Sequence, residues 1–280
     1  TDLTVICIEK NHFRIISSAA TRTHDKAHIT KHISSDLKFK DITDDFVCLG
    51  IFGPKSRSLI SKISNDDFTN EQFKFGTGKF VNIGSKKVWV QRLSYVGELG
   101  FEVYIKNDDA KETYKLIVTE GKNHNLSHCG SHAMDVMRME SGFLHWGHDI
   151  SPEENQYEAG LNFAISYKKE INFIGKESLL KIKNKIQKKR FIMLSLIDSI
   201  PGQPLLLHEE PIYLNDKIIG RTTSGNFSFN YSKNLSFGYV NSDYSNEALT
   251  KLNLYIEVAK KKYPVHVEIK PLKDKQARLL

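Results

Sequence analysis

The sequence predicts an α+β fold, on three observations. The first half alternates strand, helix, paired strands and helix. The last third carries short strand-like runs separated by turns. The chain has 280 residues, which is long for one compact unit and comfortable for two or three.

Each element has a local reason. Leu3, Val5 and Cys7 alternate with other residues, Lys10-Asn11 supplies a turn, and Phe13 to Ile16 returns, which reads as a hairpin. A helix is predicted from about Asp25 to His32. Phe46 to Phe52 reads as a strand, broken by Gly53-Pro54, with Pro54 in the first turn of a helix over Lys55 to Ile63. Leu59, Ile60 and Ile63 fall on one face of that helix. Lys79 to Ile83, Gly84-Ser85 and Val88 to Leu93 make a second hairpin, and Phe101 to Ile105 another strand. Ala110 to Glu120 and Gly130 to Glu140 are predicted helices. The order over 46–128 resembles a split βαβ, ferredoxin-like unit. Strands follow at Phe191 to Ile197, Ile212 to Leu214, Lys217 to Thr222, Leu235 to Val240, Lys251 to Val258 and Tyr263 to Ile269. That spacing suggests a small antiparallel barrel or sandwich.

Composition narrows the function classes. Lys and Arg number 40 against 33 Asp and Glu, a formal net charge of +7. Such a field favours a polyanionic ligand. The basic residues are spread widely, and the densest run, Lys181 to Arg190, carries isoleucines at helical spacing. It reads as the wet face of a connecting helix, so no nucleic-acid partner is expected. No apolar stretch approaches the ~20 residues of a membrane span, and the N-terminus lacks a basic head with an apolar centre. No membrane partner is expected. The three cysteines, Cys7, Cys48 and Cys129, lie far apart, which argues against a disulfide framework and points to a cytoplasmic location. The chain begins inside a strand, which leads to the expectation of an upstream segment that is missing or carried on another chain.

Several motifs then occur in a fixed order. The first is Ser94-Tyr95-Val96-Gly97-Glu98-Leu99-Gly100-Phe101-Glu102. The second is Ala133-Met134-Asp135-Val136-Met137-Arg138-Met139-Glu140-Ser141-Gly142. The third is Glu158-Ala159-Gly160-Leu161, followed by Phe173-Ile174-Gly175-Lys176-Glu177-Ser178-Leu179. Between the last two sits His145-Trp146-Gly147-His148-Asp149-Ile150. Together with Asp2-Leu3-Thr4-Val5 and Thr223-Ser224-Gly225, these resemble the aminomethyltransferase (glycine cleavage T-protein) family. The Trp146-Gly147 phrase is similar to the branch formed by the C-terminal folate-binding part of dimethylglycine and sarcosine dehydrogenases.

The resemblance implies a folate-binding region over 1–170 and a C-terminal antiparallel β-barrel over 171–280. It implies tetrahydrofolate as cofactor. A small amine-derived donor would supply an iminium- or formaldehyde-level carbon to the folate nitrogens. It also implies a flavoprotein dehydrogenase partner, because no GxGxxG dinucleotide fingerprint occurs here. Three alternatives stay open: a non-catalytic folate-binding accessory subunit, a remnant with no complete site, and a related tetrahydrofolate-dependent demethylase.

Five residues carry the expected site. Glu98, between Gly97 and Gly100, can accept two parallel hydrogen bonds from the amide-like edge of a pterin. Asp2 matches the family's acid beside the reactive nitrogens, the expected catalytic carboxylate. Arg138 could meet the folate tail or pair with Asp135 in its own helix. Trp146 and Tyr95 offer flat faces beside a ring. His124, His128, Cys129 and His132, and likewise His145, His148 and Asp149, have spacings a metal could use. Neither group has a CxxC or HExxH form, so no metal is expected.

Overall fold

The computed structural model describes residues 1–241 and 243–278. Ser242 and residues 279–280, all within the predicted 171–280 domain, lie outside the described residues. The chain divides into two compact units. One comprises Thr1–Met134 with the residues from Asp274 onward, and the other comprises Asp135–Lys273.

The first unit opens with the predicted hairpin, β1 (Leu3–Glu9) and β2 (His12–Ser17). Glu9 opposes His12, so Lys10-Asn11 forms the turn. The period of two sorts the side chains. Ile6 is buried with Trp89 and Tyr104, while Val5, Phe13 and Ile15 are exposed on the opposite side. Helix α1 (Arg22–His32) starts three residues before its predicted position. The Thr21 hydroxyl donates to Asp25 at 2.6 Å and ties the first turn to the residue before it.

Strand β3 (Phe46–Phe52) has the predicted bounds. Helix α2 is shorter than predicted (Ser56–Ile60), yet Leu59, Ile60 and Ile63 are all buried. Strands β4 (Gly78–Ile83), β5 (Lys86–Gln91) and β6 (Gly100–Lys106) form a meander, and helix α3 (Asn107–Gly121) follows. The four-stranded sheet is antiparallel, in the order β3-β6-β5-β4. Phe101, Val103 and Ile105 of β6 share one face and are fully buried in a cluster with Ile60, Phe68, Phe73 and Ile117. Aromatic contacts fix that cluster: Phe68 meets Phe101 edge-on at 5.5 Å.

Helix α4 (Ser131–Glu140) carries the chain from one unit into the other. In the second unit, α5 (Lys176–Ile182) precedes β7 (Lys189–Leu196). Then come β8 (Pro211–Leu214), β9 (Lys217–Ser228), β10 (Lys233–Asn241), a short helix α6 (Asn246–Leu249), β11 (Leu254–Val258) and β12 (Lys261–Glu268). The six strands close into an antiparallel barrel, β10-β7-β12-β11-β8-β9, because β9 pairs back onto β10. The α+β class and the C-terminal antiparallel barrel are as predicted, and closure removes the sandwich alternative. Ile192, Leu194, Ile212, Leu254 and Ile256 form part of the barrel core.

The basic run is a correction. It does not form a connecting helix: α5 stops at Ile182, and Lys189-Arg190 belong to β7, opposite Asn241 and Val240. Ile186 is 88% exposed, so a continued helix would have no apolar face to bury. Lys181, Lys185 and Lys189 would also stack like charges four residues apart. The Gln187 amide instead donates to the Ile182 carbonyl at 3.1 Å and ends the helix. Among the described residues, no helix is long and apolar enough to cross a membrane.

Candidate functional site

The loop between β5 and β6 presents Glu98. Val96 and Leu99 are buried on either side and anchor the loop, while Glu98 between them is half-buried. Gly97 turns the chain at φ +71, a left-handed conformation that glycine adopts without strain. The Glu98 backbone N–H donates to the Ser94 hydroxyl at 3.2 Å. From the other side, Gly53 donates its N–H to the Leu99 carbonyl at 2.8 Å, and the Ser56 hydroxyl donates to the same oxygen at 3.3 Å. Gly53 stands at φ +117, and a Cβ there would lie 3.7 Å from the Glu98 Oε2. The carboxylate therefore rests beside a bare backbone position, on a loop held from two directions. Tyr95 is half-buried in the same loop. Asp2 is exposed just ahead of β1, with no hydrogen bond to any described residue.

Arg138 and Trp146 belong to the second unit. Of the two readings open to Arg138, its geometry shows the ion pair. It is 1% exposed. Its Nε donates to Asp135 at 2.9 Å, Nη1 to the Phe143 carbonyl at 3.0 Å and to Asp149, and Nη2 to the Ser224 hydroxyl at 2.8 Å. Its guanidinium also lies 5.3 Å from the ring centre of Phe237. Asp149 is buried as deeply. It accepts from Thr223 at 2.6 Å, from Ser224 at 2.7 Å and from the His145 N–H at 2.9 Å. The Tyr239 hydroxyl closes the group by donating to the Asp149 carbonyl at 2.8 Å. Trp146 is half-buried on the loop that this network fixes, where the Gly147 N–H donates to the Ile150 carbonyl at 2.7 Å.

Reading Asp149 as a possible metal ligand misses this arrangement, since its oxygens are engaged by Arg138, Thr223, Ser224 and His145. The signal was in the text of the chain: Asp149 and Thr223-Ser224 both lie in motifs, but their partnership spans 74 residues. Glu140, five residues after Asp135 in α4, is buried and receives Ser228, Asn230 and Lys273. The other histidine group is dispersed. His124 Nδ1 meets the Glu120 carbonyl at 3.2 Å, and His128 Nε2 meets the Tyr114 hydroxyl at 2.8 Å. No cluster of three or more metal-ligating side chains occurs among the described residues.

Beside this network lies a cavity of about 640 Å³, with His148, Ser151, Glu154, Lys189, Arg221 and Tyr239 in its lining. The His145 and His148 rings meet edge-on at 4.5 Å. Burial, with His148 and Arg138 nearby, pulls the His145 imidazole below its ordinary value. Burial alone would raise the Glu154 carboxyl, but bonds from Lys189 and Ser151 hold it below its ordinary 4.5. A depressed folded-state value adds stability above pH ~4.5, and that stability is lost as pH falls through the folded value. Glu154→Gln is therefore expected to flatten the acid side of the stability curve. Urea midpoints from pH 7 down to pH 3 read this, and an unchanged acid slope would remove the assignment.

The comparisons with known proteins bear on both units. A model described as the GCVT N-terminal domain matches residues 1–169. One described as the glycine cleavage T-protein C-terminal barrel domain matches residues 189–274. The chain is 32% identical over 275 residues to mitochondrial dimethylglycine dehydrogenase of Homo sapiens, covering 97% of this chain and 31% of that protein. It is 29% identical over 270 residues to an aminomethyltransferase of Listeria monocytogenes serotype 4a, covering 96% of this chain and 71% of the other. The crystal structure of glycine cleavage system aminomethyltransferase T from Bartonella henselae superposes with a TM-score of 0.82 at 20% identity, over 98% of this chain and 72% of that one. The chain spans about a third of the length of the dimethylglycine dehydrogenases that it matches.

Proposed function

Because the chain belongs to the glycine cleavage T-protein family, we propose that it binds tetrahydrofolate and serves one-carbon transfer. The observation that carries this is the half-buried Glu98, held beside Gly53 by the buried Val96 and Leu99. A carboxylate so placed accepts two hydrogen bonds from adjacent N–H groups on a flat heterocycle, and a fixed loop sets their direction. Tyr95, on the same loop as Glu98, enters as a ring-facing side chain. Arg138 enters as a positioning residue: its donors are spent on protein partners, and it holds the loop that bears Trp146. Asp2 is the carboxylate assigned to proton handling at the acceptor amine.

Tetrahydrofolate, when bound, supplies the amine nitrogens that accept the carbon. The relatives named dimethylglycine dehydrogenase and sarcosine dehydrogenase support an amine-derived donor. Oxidation of that amine then falls to a flavoprotein region or partner.

Calorimetric titration of tetrahydrofolate into the chain tests the reading. Glu98→Ala removes two charge-assisted bonds at about 1.5 kcal/mol or more each, so affinity falls by about 100-fold or more. Equal affinity in parent and variant would discard Glu98 as the pterin acceptor. A second reading, folate binding without transfer, is favoured by Asp2. Its exposed carboxylate is held by no hydrogen bond among the described residues, and a catalytic group needs to be held. Tetrahydrofolate binding by the chain with no formaldehyde capture above that of free tetrahydrofolate supports this second reading.

A further inference from the structure

The first unit contains a second hollow, of about 460 Å³, between α1, strand β2 and the outer face of the four-stranded sheet. That volume suits a small organic ligand. Its apolar wall comes from Ile16, Ile29, Phe39, Phe46 and Tyr104. Arg14 also lines it. In β2, Arg14 opposes the buried Ile6, so the alternation that exposes Phe13 and Ile15 turns Arg14 toward the sheet.

Three aromatic rings surround its guanidinium. The ζ-carbon lies 5.1 Å from the centre of Phe46, 5.8 Å from Tyr104 and 6.0 Å from Trp89. Rings at these distances hold a guanidinium in place by cation–π attraction. They do not hydrogen-bond its five in-plane donors. Among the described residues Arg14 has neither an ion pair nor a hydrogen bond, and its Nε is buried without a partner. Burial pulls the group below its ordinary value, yet no acid answers it.

Every acid nearby is already engaged. Glu102 accepts from the Tyr104 hydroxyl at 2.5 Å. Asp25 accepts from Thr21 at 2.6 Å and from Thr1 at 3.3 Å, and it contacts His24 at 3.0 Å. Asp41 takes the Arg22 Nε at 2.9 Å. The lining carries five cationic side chains, Arg14, Arg22, Lys26, Lys38 and Lys40, against two carboxylates. A half-buried arginine with unused donors, apolar walls and an excess of positive charge lacks one component, an anion with a flat apolar body.

We propose that this hollow binds an aromatic carboxylate, with Arg14 as the carboxylate's partner. The carboxylate supplies the two acceptors that match the guanidinium fork, and the ring lies against Phe46, Tyr104 and the isoleucines. The inference stands apart from the reading of Glu98 and uses none of its residues.

The test titrates 2-naphthoate, and its neutral match 2-naphthamide, into the full chain by calorimetry. The acid is expected to bind saturably at one site, at least ~10-fold more tightly than the amide. Arg14→Met keeps an apolar stem without charge. It is expected to abolish that preference while leaving the amide's affinity unchanged. Arg14→Lys retains the charge without the fork and falls between. The melting temperature of Arg14→Met is expected to stay at or above that of the parent, because an unpaired charge has been removed. That separates lost binding from lost folding.

Equal affinity for acid and amide would overturn the proposal, as would no saturable binding of the acid. So would Arg14→Met binding the acid as the parent does. Repeating the titration with tetrahydrofolate present checks that the hollow is separate from the folate site. Undiminished binding is expected, and displacement by tetrahydrofolate would overturn the hollow as a separate site.

Discussion

Asp149→Ala is expected to cost about 3–5 kcal/mol of stability, the range for removing one partner of a buried ion pair. The aspartate side chain is fully buried against Arg138. Removing it leaves the guanidinium in place with only Asp135, Ser224 and the Phe143 carbonyl. Thr223 and Ser224 each lose an acceptor, and the His145 N–H loses the bond that pins its loop. Urea unfolding measures the loss. The sharper readout is the double variant. Arg138→Met with Asp149→Ala removes both charges, so it is expected to be more stable than Asp149→Ala alone. Additive losses in the two single variants would show that the pair is not coupled as described.

Gly220→Ala is expected to destabilise the barrel by more than about 3 kcal/mol, above the usual cost of overpacking. Gly220 lies in β9 between Ile212 of β8 and Val240 of β10. A Cβ there would run into the Tyr239 carbonyl oxygen and come within 2.8 Å of the Val240 Cα. Both are backbone atoms of a paired strand, and neither can swing aside as a side-chain tip can. The β9–β10 ladder would have to part. Gly130→Ala is the matched control, since a Cβ there meets nothing within 4 Å. A melting curve for Gly220→Ala that overlays the control would refute the close approach of these strands.

The parts of this protein that were legible in sequence are those written locally. The β1–β2 hairpin and β3 follow from alternation and turn residues, and each appears with its predicted strands. The turn of the Glu98 loop was legible too, because Gly97 and Gly100 flank the acid, and Gly97 takes the left-handed conformation. Three features were not. The isoleucines at 182 and 186 have helical spacing, but spacing does not reveal whether a surface exists to cover them, and Ile186 finds none. Arg138 and Asp149 each stand in a motif, but their mutual role depends on β9, which reaches them only through tertiary pairing. Arg14 reads as one polar residue in an alternating strand. Its aromatic surroundings come from β3, β5 and β6, far along the chain.

The ring of six strands in the second unit has neither a first nor a last member. Withdrawing any one of them breaks two ladders at once, so none can fray alone. Amide protons across all six should therefore exchange with solvent through one shared opening, at a common free energy, rather than in a graded order from rim to centre.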